Sequence, residues 1–244
     1  MRCRVALVRS CIVLSVVLSS ACESLFPLEA GEELPDFYRQ SPATGAPVPD
    51  LTVYELQGEP VNIASLIGER PLVVQLGSYS CPVFRYRRFY LRPLREAYAG
   101  RVDFVVLYTL EAHPVGAISP YADREWVPRS NRFFGIRGDQ PITLDARLER
   151  ARWARERMQS NARFLVDGME NQAWQALGAA PAAAFVIDRE GRVVLRQPWV
   201  DPAGIAATLD ELLARESEDR GARCSSRSQR ALLLRSHSFL GLFP

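Results

Sequence analysis

The sequence predicts an α/β fold, a central mixed β-sheet flanked by helices on both faces. Three observations carry that expectation. Pro71–Leu76 and Val102–Tyr108 are short, almost wholly apolar runs of the kind that form buried strands. Stretches of helical periodicity alternate with them. The last strands meet across a tight turn, Asp188–Gly191, which pairs them antiparallel and makes the sheet mixed. A hydrophobic content of 48% over 244 residues supports a real core. The 30 basic and 28 acidic residues nearly cancel, which gives no reason to expect nucleic acid as a partner.

Taken in order, residues 1–21 read as a signal peptide. Arg2, Arg4 and Arg9 form a basic start, Cys11–Leu18 is an apolar run too short to span a membrane, and Ser19-Ser20-Ala21 precede Cys22. Small residues leading into a cysteine resemble the bacterial lipobox, with Leu18 four residues before Cys22 where three is usual. Lipidation of Cys22 and a membrane anchor follow from that resemblance, and an ordinary signal peptide cut nearby is the alternative. Glu23, in place of the Asp that retains lipoproteins at the inner membrane, favours an outer-membrane anchor facing the periplasm. Residues 22–49, rich in Pro, Gly and acidic groups, read as a flexible tether.

The domain is expected over 50–216. Leu51–Leu56 alternates as a strand and Gly58–Pro60 turns; Val61–Ile67 is a short helix or a strand and turn. Pro71–Leu76 is the central strand, followed by a loop and a helix to about Tyr98. Val102–Tyr108 is the next strand. Thr143 caps a helix reaching about Met158. Phe164–Asp167 is a strand and Asn171–Leu177 a short helix. Ala183–Asp188 and Arg192–Leu195 form the hairpin, and Pro202–Arg215 a closing amphipathic helix. Residues 217–244 read as a disordered tail.

Of 5 cysteines, Cys3 and Cys11 leave with the signal peptide and Cys22 is acylated, so Cys81 and Cys224 remain as thiols. Neither lies in a CxxC pair, no Cys/His cluster has metal-ligand spacing, and no metal site is expected. Cys81 falls where a buried strand turns into a helix, with Pro82 at the first helical position. There the free backbone N–H groups and the helix dipole favour a thiolate, so a pKa below the free value of about 8.5 is expected. Phe84 stands where a CxxC motif carries its second cysteine. An oxidised Cys81 therefore needs an outside thiol or Cys224. The plain alternative is that Cys81 is a small buried hydrophobe.

Gly77-Ser78-Tyr79-Ser80-Cys81-Pro82-Val83-Phe84 resembles the active-site motif of the iodothyronine deiodinases, with Ser80 for Thr, Cys81 for selenocysteine and Val83 for Pro. Tyr108 followed by Glu111-Ala112-His113-Pro114 is similar to the family's second motif. Gln140 with Thr143, Leu144, Asp145 and Arg147, and Val166–Asn171, extend the likeness. The resemblance implies a thioredoxin-like fold with peroxiredoxin-like insertions and a thiol-dependent reductive reaction. It makes Cys81 the nucleophile and Ser78, Tyr108, Glu111 and His113 a proton-relaying network. An imidazole held by a carboxylate is suited to deliver a proton near neutral pH. Ser80, Pro82 and Arg85 are the expected supports of the thiolate, although Arg85, Arg88, Arg92 and Arg95 also fit a solvated helix face. Pro181 is the candidate cis-proline opposite the cysteine, with a trans bond as the alternative.

Two departures stand out. Pro141 replaces the family's second His and Ala183 its substrate-clamping Arg, which argues against thyroid hormone as substrate. The leading expectation is thus a deiodinase-like thiol oxidoreductase acting on a small organic halide, with no cofactor beyond an external thiol reductant. A homodimer is left open. A thiol peroxidase is the second expectation, since Ser78 three residues before Cys81 fits its pattern while Val74 lacks its Pro. A non-catalytic binding module on the same fold is the third.

Overall fold

A computed structural model describes residues 34–218. The expected signal peptide, the lipidation site Cys22, the start of the tether, Cys224 and the tail beyond 218 lie outside the described residues. The chain divides into two units, Met1–Pro202 and Ala203–Pro244. The first holds helix α1 (Pro35–Gln40), strands β1 (Thr52–Glu55) and β2 (Pro60–Asn62), a 3-10 turn (Ile63–Leu66) and β3 (Leu72–Gly77). Helix α2 (Pro82–Ala97), β4 (Asp103–Tyr108), α3 (Arg129–Phe133), α4 (Leu144–Arg157) and β5 (Arg163–Asp167) follow. Helix α5 (Gln172–Ala176), β6 (Ala184–Ile187) and β7 (Val193–Gln197) complete it. The second unit contains almost all of a helix over 202–218, in which Ile205 and Leu209 are buried.

One 7-stranded sheet has the order β2-β1-β5-β4-β3-β6-β7. Strands β3, β4 and β5 run parallel in the middle, β1 and β6 flank them antiparallel, and β2 and β7 close the edges as hairpin partners. The parallel middle is why β3 is buried throughout and apolar but for Gln75: both of its faces are covered. On one face Leu72, Val74, Leu76, Leu107 and Phe185 pack with Phe37 of α1 and Ala173 of α5. On the other, Val106, Tyr108 and Phe164 pack with Phe84 of α2 and with Leu148, Ala151 and Ala154 of α4. This mixed sheet, with a strand–helix–strand unit leading from β3 through α2 to β4 and a terminal antiparallel hairpin, is a thioredoxin-like fold.

Thr143 caps α4 as its sequence implies: its Oγ1 accepts the N–H of Ala146 at 3.2 Å. The tether reading fails for residues 34–49. Phe37 is fully buried, and its ring lies where a side chain on Gly178 would have to go, 2.6 Å from an added Cβ. Gly45 N–H donates to Val193 O at 2.7 Å and Val48 N–H to Gly191 O at 2.8 Å, so this segment lines the β7 end of the sheet. A Pro- and Gly-rich composition conceals one aromatic anchor. The candidate cis-proline is corrected as well, since no peptide bond among the described residues is cis and Ala180–Pro181 is trans.

Candidate active site at the carboxyl ends of the parallel strands

Strands β3 and β4 end side by side, with Gly77 paired to Tyr108. Loops leaving the carboxyl ends of parallel strands meet in one crevice, the usual place for chemistry in an open α/β sheet. Here the loops are 78–81 and 109–113, and four side-chain hydrogen bonds join the two strand ends while a fifth lies within the second. The Ser78 Oγ accepts the N–H of Ala112 at 3.0 Å, and the Ser80 Oγ accepts that of His113 at 2.9 Å. In return Tyr79 N–H donates to the Tyr108 hydroxyl at 3.1 Å and Ser80 N–H to Glu111 Oε2 at 2.8 Å. The Tyr108 hydroxyl donates to Glu111 Oε1 at 2.5 Å. Three sequence-nominated polar residues (Ser80, Tyr108 and Glu111) thus meet directly, His113 joins them through its backbone N–H, and Ser78 holds the Ala112 N–H between them. The two serines act as acceptors that fasten one loop to the other.

Cys81 is the residue before α2, and Pro82 takes the first helical position as expected. Gly77 is required by Phe84, which folds back over the strand end. A Cβ at Gly77 would stand 2.1 Å from the Phe84 ring. The predicted low pKa of Cys81 is overturned. Only 1% of Cys81 is exposed, and burial pushes its thiol up to about 11. The backbone amides of Phe84 and Val83 and the charge of Arg85 pull it down, as the helix-start argument requires, while the Glu111 carboxylate raises it further. Desolvation outweighs them.

Glu111 has no exposed surface, and Arg150 Nε lies 3.8 Å from its Oε1. The backbone N–H of Glu111 donates to Gln140 Oε1 at 2.8 Å. Tyr108 stays protonated, because burial and then the Glu111 charge hold its hydroxyl well above the ordinary phenol range. The expected imidazole–carboxylate pair is not formed. His113 Nδ1 lies 3.1 Å from the Trp126 carbonyl and its ring meets the indole edge-on at 4.5 Å, so the carbonyl sets the tautomer with Nδ1 as the donor. Burial lowers the His113 pKa to about 4, and the Trp126 carbonyl offsets only part of that. At neutral pH the ring is uncharged.

Arg85 does not lie on a solvated face. It is buried, donates to Tyr79 O, and reaches Asn131 Oδ1 at 2.5 Å. Asn131 Nδ2 in turn donates to Ser80 O at 2.7 Å. The two side chains bind the backbone on the amino side of Cys81. Of the remaining row, Arg92 is exposed and pairs with Glu96, whereas Arg88 and Arg95 are half-buried. Sequence reasoning missed Asn131, Trp126, Arg150 and Tyr121, whose buried hydroxyl accepts the Trp174 Nε1–H at 2.8 Å. Asn131 and Trp126 belong to the long connection 109–143, which has little regular structure and no periodicity to flag it. Ala183, where the family carries an Arg, is fully buried in the core and offers a guanidinium no room. Among the described residues no group of three His, Cys, Asp or Glu side chains is placed to hold a metal.

The sequence profile of the family described as iodothyronine deiodinase matches residues 28–199. A thyroxine 5-deiodinase of Gallus gallus is 32% identical over 170 residues, 69% of this chain and 60% of that protein. A type I iodothyronine deiodinase of Xenopus laevis is 26% identical over 172 residues, 68% of this chain and 63% of that protein. The matched stretch thus spans about 60% of the length of these relatives. Among solved structures, a secreted disulfide oxidoreductase of Mycobacterium tuberculosis is similar with a TM-score of 0.45 and 16% identity, covering 67% of this chain and 96% of that one. The thioredoxin domain of a thiol-disulfide oxidoreductase from Bacteroides vulgatus is similar with a TM-score of 0.46 and 16% identity, covering 69% and 96%. At these scores the likeness adds nothing to the sheet order already described.

Proposed function

This chain belongs to the iodothyronine deiodinase family, and we propose that it is a thiol-dependent oxidoreductase in which Cys81 reductively removes halogen from a small organic halide. The observation that supports this reading best is the joining of the Cys81 loop to Tyr108, Glu111 and His113 by the bonds given above. A purely structural cysteine needs no buried carboxylate beside it.

The reaction balances without a cofactor. The sulfur electron pair of Cys81 attacks the halogen, the carbon–halogen bond breaks, and the proton of the thiol ends on carbon. The products are a sulfenyl halide on Cys81 and the dehalogenated compound. One external thiol then displaces halide to form a mixed disulfide, and a second restores Cys81. Because burial keeps the thiol protonated at neutral pH, the resting enzyme already holds the proton that carbon needs. His113 is neutral and its Nδ1 is held by the Trp126 carbonyl, so in this reading the proton delivered to carbon is the thiol's own and not that of an imidazolium. The Glu111–Tyr108 pair positions the loop and sets the local field.

Thyroid hormone is a poor fit, because Pro141 and Ala183 replace the family's clamp. A thiol peroxidase is less well supported: the Ser78 hydroxyl is taken by the Ala112 amide, and Val74 stands where a proline is needed. The signal-like residues 1–21, Cys22 and Glu23 support placement in the cell envelope as an outer-membrane lipoprotein facing the periplasm, which Cys22→Ser would test by loss of lipid labelling in cells.

Release of iodide from 3-iodophenol by the full chain with excess dithiothreitol tests the reaction. Turnover is expected to vanish in Cys81→Ser and to fall at least about 100-fold in Glu111→Gln. Peroxide consumption without iodide release would replace this reading with the peroxidase one.

A further inference from the structure

The connection between β4 and α4 forms a half-open groove of about 600 Å³, inside the volume range of small-molecule sites. Its apolar lining comes from Val115, Val127 and Ile136. Two guanidinium groups, Arg132 and Arg137, stand in its wall, both on exposed residues and neither in an ion pair among the described residues. The one carboxylate in the lining, Glu125, is engaged elsewhere, since its Oε1 accepts Gly116 N–H at 3.0 Å. A groove with an aliphatic wall and two guanidinium groups against one carboxylate carries net positive charge and suits a compact organic anion with an apolar body.

The groove also touches the Cys81 loop. Asn131 lines it, and the same side chain holds Ser80 O and Arg85. We propose that this groove binds an aromatic or similarly apolar carboxylate, and that its occupancy is transmitted to Cys81 through Asn131. The ligand meets Arg132 and Arg137 with its carboxylate and the aliphatic wall with its body. A shift of Asn131 on binding changes the grip on the backbone preceding Cys81. The site stands whether or not Cys81 reduces halides.

Titration calorimetry on the full chain tests it, with 2-naphthoate as the anion and 2-naphthamide as its neutral counterpart; neither carries a halogen. One naphthoate is expected to bind per chain. The amide, and naphthoate added to Arg132→Ala/Arg137→Ala, are expected to bind at least about tenfold more weakly. Binding is expected to persist in Cys81→Ser, which separates this site from the proposed chemistry. Both arginines are exposed, so their removal leaves the core intact. Equal binding of acid and amide, undiminished binding by the double variant, or no naphthoate binding would overturn the site. For the coupling, saturating naphthoate is expected to change the rate of Cys81 alkylation by iodoacetamide at least about threefold in the parent chain and not in the double variant. An unchanged rate in the parent would overturn it.

Discussion

At the scale of the residue, Cys81 and His113 show burial overruling local chemistry in the same direction, toward the neutral form. The folded Cys81 thiol has its pKa raised to about 11. Its contribution to stability is therefore complete below the free-thiol value near 8.5 and is lost as pH rises toward 11. Cys81→Ala is expected to flatten the alkaline limb of stability measured by urea unfolding between pH 8.5 and 11. The His113 pKa is lowered to about 4 from an ordinary 6.5. Its contribution is present above 6.5 and lost as pH falls through 4, at most about 3 kcal/mol. His113→Gln should remove most of the acid-side loss in that window; an unchanged slope would mean the ring is solvated. Gly77→Ala drives a methyl into the Phe84 ring and is expected to cost about 1–3 kcal/mol.

At the scale of the element, the regular pieces were legible because each has a local cause. The almost wholly apolar β3 is buried on both faces, and Thr143 caps α4 with its own hydroxyl. What was hidden depends on partners distant in sequence. Cys81 sits at a helix start that favours a thiolate, yet Phe84, Tyr108 and the sheet exclude the water a thiolate needs. His113 has a carboxylate two residues away in sequence, but its ring nitrogen bonds the carbonyl of Trp126. Arg85 fits a solvated row by its spacing, and its burial is explained by Tyr79 O and by Asn131, 46 residues on. Helix α1 was concealed by Pro and Gly around it, while Phe37 is its fully buried tie to the core, aided by Arg196, which donates to Tyr38 O and Ser41 O. Phe37→Ala is accordingly expected to lower stability by about 3–5 kcal/mol in urea unfolding. A change below about 0.5 kcal/mol would restore the tether reading.

At the scale of the whole molecule, the sheet brings three parallel strand ends together, and the chain's departures from regularity gather there. The Gly77–Cys81 loop, the Tyr108–His113 loop and the connection bearing Trp126 and Asn131 are joined by hydrogen bonds to one another. Asp167, at the end of β5, adds a further polar anchor by accepting the N–H groups of Ala173 and Trp174 at 3.1 and 2.8 Å. The fold thereby supplies a dry setting for one protonated thiol. The central claim is that this thiol passes its electron pair to halogen and its proton to carbon. Its most direct test is a single turnover, in which the reduced full chain is mixed with excess 3-iodophenol in the absence of any other thiol. The account predicts up to one phenol formed per chain with loss of the Cys81 thiol, and none in Cys81→Ser. Cys81 remaining fully titratable, with no phenol formed, would contradict it.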